Sequence, residues 1–583
     1  MYRFEPFLKY EYNGRIYKNS KTECENYKLE LTVNDAGIQC SLVPKVKMKL
    51  IEFNISAIKK FVENELFFAN GYQSWTTSRE FGKDDTLEGI SKLAGFTEKT
   101  KALSEISGDY SFAQYGKKGD FHSYTYTYFR IGEKVELFGS CDERYGYTVF
   151  SVSYETNRFT IAKDVDGLET DDEIILLDIT CFNGGYNEVF DKYFGSMNLR
   201  KPKVDHLSGY TSWYNYFQKI NEEIILRDLD GLDRAKNSVS IFQIDDGYES
   251  KVGDWLVPDY RKFPNGMKPI ADAIHAKGYL AGIWIAPFSA QRSSVIAKDH
   301  PDWLIKDNAT GKPLLGCVGW GGAYTLDIYN GEVREYIRNF FNVILNDWGF
   351  DMVKLDFLYS EAMQPRNGKS RGQIMCESMD FLRECVGEDK LILGCGVPLG
   401  PSFGVVDACR ISCDVDLKYL PKYYNKMGIN LELPSAQNAI TNSVFRRHLN
   451  GRVFCNDPDV FFLREKNLTF TKEQKLLLAK INNLCGDVLF VSDNAGDYSD
   501  EDIKLLKKFF KKKFSFSVYL VSRFLFVSEY SQVFKAETTS KPVRIFRVVL
   551  LFSYQRTFCR SCCLHQRQLV YITILDFVCQ ELF

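Results

Sequence analysis

The sequence predicts a multidomain protein: an N-terminal β-sandwich over residues 1–200, a central (β/α)8 barrel of the TIM type over 201–510, and a short atypical C-terminal segment over 511–583. Three observations lead there. Up to about residue 198, short runs of alternating apolar and polar residues recur between Gly, Asn and Asp turns. Beyond Lys201-Pro202-Lys203, which reads as a linker, strand-like runs alternate with amphipathic stretches. From Lys511 onward there is no Gly, Asn, Met or Trp, and turn signals nearly vanish although several apolar runs need connecting.

In the first region, 27–33, 123–129, 134–138, 147–154 and 174–181 have the period of half-buried strands, and their spacing suits a sandwich. In the second, strands are expected at 209–214, 240–245, 280–287, 352–356, 391–396, 408–414, 452–456 and 487–492. Helices are expected at 226–237, 267–277, 332–348, 370–386, 472–484 and 500–512. Eight strands alternating with helices over about 300 residues fit a (β/α)8 barrel. A doubly wound sheet is the runner-up, but no Gly-rich phosphate turn opens it. The last region reads either as a small β domain or as a discontinuity such as a frame change. The second reading is favoured, and no function is assigned there.

Composition narrows the class. Hydrophobic residues are 45% and charged residues 26%, which is ordinary for a globular protein. A formal net charge of −2 gives no electrostatic reason to expect nucleic acid or an anionic membrane as partner. No uncharged run reaches membrane-spanning length; 514–527 is cut by Arg523. The first residues contain no apolar signal-peptide core, and sixteen scattered cysteines form no framework, so reduced thiols in a cytoplasm are expected. Cys559 and Cys562 have C-x-x-C spacing, with Cys563 and His565 nearby, but no second ligand pair accompanies them and no metal site is expected.

The chemistry is read from charges set into apolar strands. Met352-Val353-Lys354-Leu355-Asp356-Phe357 reads as a buried strand in which period two puts Lys354 and Asp356 on one face. An ammonium beside a buried carboxylate favours its charged form, which suits a nucleophile. A structural ion pair is the plainer explanation. The second strand ends in Asp245-Asp246-Gly247, where adjacent carboxylates need donors such as sugar hydroxyls; a solvated turn is the alternative. Trp284 on the third strand is either core or a platform for a sugar ring. On the sixth, Arg410, Ser412 and Asp414 share a face. In a barrel, polar residues at strand carboxyl ends face the active site. Asp356 and Asp414, ending the fourth and sixth strands, then make a carboxylate pair across its mouth. Asp356 suits the nucleophile and Asp414, in a more mixed setting, the acid. Retaining glycosidases hold such carboxyls about 5–5.5 Å apart and inverting ones about 6.5–9.5 Å, a gap that sequence does not measure.

Taken together the motifs resemble glycoside hydrolase family 36, in the clan that also holds family 27. The resemblance rests on Asn70-Gly71-Tyr72-Gln73-Ser74-Trp75, Gly209-Tyr210-Thr211-Ser212-Trp213-Tyr214, the stretch 242–248 followed by Gly253-Asp254-Trp255, and Phe263-Pro264-Asn265-Gly266-Met267. Lys354-Leu355-Asp356, the run from Arg410 to Asp414, and Asn456-Asp457-Pro458-Asp459 complete it. It covers roughly residues 60–500. The family has an N-terminal β-sandwich, a (β/α)8 barrel and a C-terminal β domain.

The resemblance implies Asp356 as nucleophile and Asp414 as acid/base. It implies that Asp245 and Asp246 bind the O4 and O6 side of galactose, that Lys354 contacts hydroxyls beside the nucleophile, and that Arg410 contacts those near O2 and O3. It places Cys395 and Gly396 at the 2-position, gives Trp75 and Trp213 a place in the substrate site, and allows Trp75 to act on a neighbouring subunit of a homo-oligomer. No metal or organic cofactor is implied. The expected activity is a retaining exo-glycosidase acting on terminal α-linked galactose. Where many family members have Cys-Ser-Gly-Gly-Gly, this chain has Gly394-Cys395-Gly396-Val397-Pro398-Leu399-Gly400, so an α-N-acetylgalactosaminidase is the first alternative. A raffinose-synthase-like transglycosylase and a non-catalytic sugar-binding protein follow.

Overall fold

The computed structural model describes residues 2–91, 105–419 and 431–511. The atypical segment from residue 512, with the Cys559–His565 cluster, lies outside the described residues.

The first 185 residues build two seven-stranded antiparallel sheets. One holds Glu5–Tyr12, Met48–Ile58, Arg158–Lys163 and Thr148–Ser153; the other holds Tyr27–Val33, Gly37–Pro44, Ile174–Gly185, Lys134–Ser140 and Tyr126–Ile131. Alternate residues point inward, and Leu8, Leu50 and Phe150 of the first meet Leu42, Phe129 and Leu177 of the second in one apolar core. The run expected as one strand, 123–129, is two. Thr125 has φ +68°, and the chain changes sheets there: Asp120–Tyr124 pairs with Thr148–Ser153, and Tyr126–Ile131 with Lys134–Ser140. Thr125 donates to Thr148 O and accepts from the Ser140 amide, so the switch residue stitches both sheets.

Among the described residues from 207 to 511, the largest sheet is a nine-stranded parallel one flanked by helices. Its strands are β1 Leu207–Thr211, β2 Ile241–Ile244, β3 Leu280–Ile285, β4 Met352–Leu355, β5 Leu391–Gly394, β6 Ala408–Arg410, β7 Cys455–Asp457, β8 Val460–Phe461 and β9 Val488–Val491. Their order is β7-β6-β5-β4-β3-β2-β1-β9-β8. The amide of Asp487, just before β9, donates to Asn456 O of β7 at 3.1 Å, so the sheet curls back on itself. β2, β4, β5 and β9 are buried at every position, which is why they read as unbroken apolar runs.

Two expectations shift. The two-residue β8 adds a strand beside β9, and β2, β4 and β6 stop short of their acidic residues, so Asp245, Asp356 and Asp414 stand in the turns beyond them. The helix expected at 226–237 starts at Glu222, because the Asn221 side chain accepts from the Ile224 amide, and it tightens into 3₁₀ turns from Leu232. Ser370, Thr471 and Ser499 cap the helices that begin at Arg371, Lys472 and Asp500. Among the described residues no helix is long and apolar enough to cross a membrane.

A buried guanidinium joins the two parts. Arg446 donates to Asn70 Oδ1 (3.1 Å), Ser74 O (2.5 Å) and Gln73 O (3.0 Å) on one side and to Ile411 O (2.8 Å) on the other. It therefore pins the 70–75 turn to the chain just beyond β6.

Candidate active site

The β4 strand delivers Asp356 to the carboxyl end of the curled sheet. Its amide makes one more ladder bond, to Ile285 O at 2.9 Å, and the chain then breaks at Phe357, whose φ is +55°. An aromatic residue in the left-handed region is held there only by its surroundings. The turn folds the Phe357 amide back onto Asp356 Oδ1 (2.9 Å), while Trp284 Nε1 of β3 donates to Oδ2 (3.0 Å). Both oxygens of a buried carboxylate are thus fixed by neutral donors.

The expected Asp356–Lys354 ion pair is replaced by another. Lys354 Nζ lies 2.9 Å from Asp245 Oδ2, with both side chains buried. Burial works against the ammonium, but the Asp245 carboxylate outweighs it and holds Lys354 above the ordinary lysine range. Asp245 Oδ2 also accepts from Gln243 Nε2 (2.9 Å) and Thr211 Oγ1 (3.2 Å), and the Asp245 amide is tied to Ser212 Oγ. Asp246 differs: it accepts from Gln218 Nε2 (2.9 Å) and Trp320 Nε1 (2.9 Å) and shares a hydrogen bond with Glu249. Burial pushes Asp246 up, and pushes Glu249 up further, beside the Asp246 charge.

Beyond β6, Arg410 is the hub of three carboxylates. It lies 2.7 Å from Asp414 Oδ1, 3.2 Å from Asp457 Oδ2 and 2.9 Å from Asp459 Oδ1. Asp414 is 33% exposed, whereas Asp457 and Asp459 are buried. Asp459 also accepts from Tyr214 Oη and from the Val415 amide. Burial pushes its carboxyl up to about 7, with Arg410 pulling down and Asp414 and Asp457 adding to the rise. Ser412 turns to its own chain, donating to Cys413 O.

Between these groups lies Cys395, at the end of β5. Burial raises its thiol well above the ordinary value, and the charges acting on it are Asp356 and Asp414 upward against Arg410 and Lys354 downward. Both carboxylates therefore act on one buried thiol. Trp75 Nε1 sits 3.4 Å from Cys395 Sγ of the same chain. Its ring meets Phe357 edge-on at 5.2 Å and covers Gly396, where an added Cβ would lie 2.8 Å from Trp75 Cζ2. Trp213 stands apart: its ring packs edge-on against Phe217 at 5.1 Å, and it makes no hydrogen bond to the cluster among the described residues.

Asp356, Asp414, Asp245, Asp246, Lys354, Arg410, Cys395, Gly396, Trp284 and Trp75 thus lie in one connected neighbourhood. Sequence reasoning missed Gln218, Glu249 and Trp320, and it noted Tyr214, Asp457 and Asp459 only within motifs. For Asp459 the carboxylate pair flanking a proline after β7 was the available signal; for Trp320 it was an indole inside Gly319-Trp320-Gly321-Gly322. Chemically the neighbourhood offers a fixed buried carboxylate, a more exposed one on a guanidinium, and paired carboxylates for hydroxyl groups. Among the described residues no group of three or more His, Cys, Asp or Glu is arranged to hold a metal ion.

Comparison with known proteins agrees with the family 36 resemblance. Residues 211–376 match the Melibiase family. The chain is 33% identical over 196 residues to the A type blood alpha-D-galactosamine galactosaminidase of Flavonifractor plautii, covering 30% of this chain and 18% of that protein. It is 33% identical over 242 residues to the alpha-galactosidase Mel36A of Lactobacillus acidophilus, covering 38% and 32%. The matched stretches thus span under a third of these curated relatives. In structure the chain resembles the alpha-galactosidase of Thermus thermophilus in complex with stachyose, with a TM-score of 0.68 at 23% identity over 87% of this chain and 100% of that one. It also resembles the GH36 alpha-galactosidase AgaA of Geobacillus stearothermophilus, with a TM-score of 0.56 at 10% identity over 90% and 76%. The shared fold is multidomain.

Proposed function

We propose that this chain, a Melibiase-type relative of glycoside hydrolase family 36, is a retaining exo-glycosidase that releases terminal α-linked galactose. The observation that carries the reading is the buried Asp356 carboxylate held by Trp284 Nε1 and the Phe357 amide, together with the Lys354–Asp245 pair and the more exposed Asp414 on Arg410. In this reading the paired antiparallel sheets are a β-sandwich over 1–200, and the curled parallel sheet is a (β/α)8 barrel over 201–510.

Asp356 attacks the anomeric carbon. The indole of Trp284 and the Phe357 amide hold its carboxylate at a fixed angle, so little reorganisation is left for the transition state. Asp414 protonates the glycosidic oxygen as the bond breaks, then takes a proton from the water that hydrolyses the glycosyl–Asp356 ester. Its greater exposure suits the side from which the leaving group departs and water arrives. Two inversions at the anomeric carbon return the α configuration. Asp245 and Asp246 take the O4 and O6 side, Lys354 and Arg410 other hydroxyls. The free thiols of the described cysteines support action in a reducing cytoplasm.

A second reading, an α-N-acetylgalactosaminidase, is favoured by the stretch Gly394–Gly400 at the 2-position and by the name of the Flavonifractor relative. One experiment separates them: hydrolysis of 4-nitrophenyl α-D-galactopyranoside against the matching α-N-acetylgalactosaminide, with the first-formed anomer followed by NMR. The expected outcome is faster release from the galactoside and α-galactose first. A β anomer first, or near-normal turnover by Asp356→Ala, refutes the mechanism, and a faster acetamido substrate transfers the activity to the second reading. Product analysis with a sugar acceptor present detects transglycosylation.

A further inference from the structure

The connection between β3 and β4 carries a small three-stranded sheet of its own: Ser289–Gln291, Ala323–Thr325 and Leu315–Cys317. At its turn, Trp320 has φ +55° and is followed by Gly321 at φ +77° and Gly322 at φ +103°. A tryptophan rarely adopts this backbone region, and the neighbouring glycines carry the rest of the turn. Gln291 Nε2 fixes the Trp320 carbonyl at 3.0 Å, and the Arg292 amide fixes the Gly322 carbonyl at 3.1 Å. A Cβ at Gly322 would lie 2.8 Å from Arg292 Nε, so the arginine side chain would have to shift to admit it.

All of this presents one half-buried indole to the site. Its single donor goes to Asp246 Oδ2 at 2.9 Å, and its ring lies between Phe357 (5.1 Å) and Trp284 (5.8 Å), the residues that flank Asp356. The two adjacent carboxylates have different covers. Asp245 is held from inside, by Lys354, Gln243 and Thr211. Asp246 shares a hydrogen bond with the buried Glu249, and its other partners are the exposed Gln218 and the half-buried Trp320.

We infer that Trp320 is a positioning and specificity-determining residue for the side of the sugar that carries C6, acting through Asp246. The inference rests on the galactoside reading above. The indole N–H fixes the Asp246 carboxylate so that its remaining acceptor capacity meets the hydroxymethyl group, and the ring edge limits what that arm can carry. A ring that merely packs against Phe357 and Trp284 affects all sugars alike; a ring that orients Asp246 affects only sugars that have the arm.

The test compares 4-nitrophenyl α-D-galactopyranoside with 4-nitrophenyl β-L-arabinopyranoside, the same pyranose ring and anomeric geometry without C6. The wild type is expected to prefer the galactoside in kcat/KM. Trp320→Phe, which keeps a ring and loses the N–H, is expected to lower that preference about tenfold, and Trp320→Ala further, because a hydrogen-bonded substrate group is then no longer recognised. Trp320→Phe also guards against simple unfolding, since a damaged fold lowers both rates and leaves their ratio unchanged. An unchanged ratio in Trp320→Phe overturns the inference and leaves the galactosidase reading standing. A wild type that hydrolyses neither glycoside overturns both.

Discussion

Lys354 Nζ and Asp245 Oδ2 meet at 2.9 Å across the top of the curled sheet, from β4 to the turn after β2, with the intervening strand β3 between them. This buried bridge ties β4, the strand that delivers Asp356, to the turn that carries Asp245 and Asp246. Taking away one partner strands the other: Lys354→Met is expected to cost about 3–5 kcal/mol in stability, because the Asp245 carboxylate then lacks its counter-charge. Pairing it with Asp245→Asn should recover a good part of the loss. Urea unfolding of the two single variants and the double gives the coupling directly, and additive losses would show that the two charges do not depend on each other.

Asp356 is oriented by one side-chain donor, the indole of Trp284. Trp284→Phe keeps a ring against Trp255 and Trp320 but leaves Oδ2 without it. A hydrogen bond to a charged group is worth about 1.5–3 kcal/mol, so kcat on an aryl α-galactoside is expected to fall about 10- to 100-fold with a smaller change in KM. Asp356→Ala should lose about 1,000-fold or more in the same assay. Equal kcat in Trp284→Phe and wild type would remove Trp284 from the positioning of the nucleophile.

Which of these residues can be read from sequence follows from how far apart their partners lie. Asp356 was legible because a charge in an apolar strand is costly and so points to a role. The acidic strand ends were legible because eight runs alternate with helices. The partner of Lys354 was not: period two assigns a face, but in a curled sheet the interior face of β4 looks past β3 to the end of β2. The break at Thr125 was also hidden, since a β-branched residue in the left-handed region is imposed by two sheets competing for one run of chain. Trp320 belongs to the same class. Its link to Asp246, 74 residues away in sequence, exists only once the connection after β3 has folded over the sheet.

The carboxyl of Asp459 adds a pH dependence. Burial raises it to about 7, Arg410 opposes the rise, Asp414 and Asp457 add to it, and the Tyr214 hydroxyl lowers it. A carboxyl whose folded value exceeds its unfolded value, about 3.9, binds its proton more tightly in the native state. Its contribution to stability is therefore full below about pH 4 and lost as the pH rises towards 7. Asp459→Asn keeps the shape without the titration. Its stability relative to the wild type is expected to improve steadily from pH 4 to pH 7, measured by urea unfolding at each pH. A stability difference that stays flat across that window would rule out the raised value.

Gly396 is closely packed against the site. It has φ +58°, and a Cβ there would lie 2.8 Å from Trp75 Cζ2 and 3.2 Å from the Phe357 amide nitrogen. Gly396→Ala meets two penalties. The left-handed backbone disfavours any L side chain by about 1–2 kcal/mol. The added methyl also presses on the ring that covers the site and on the amide that holds Asp356 Oδ1. Trp75 can swing outward, because its ring is only partly buried; the Phe357 amide cannot, because the β4 turn fixes it. Gly396→Ala is therefore expected to lose about 1–2 kcal/mol of stability in urea and to lower kcat on the aryl galactoside. Combining it with Trp75→Ala should relieve the contact with the ring and leave the catalytic loss in place. Full recovery of kcat in the double variant would instead assign the effect to Trp75 alone, and the Phe357 amide would drop out of the account of how Asp356 is aimed.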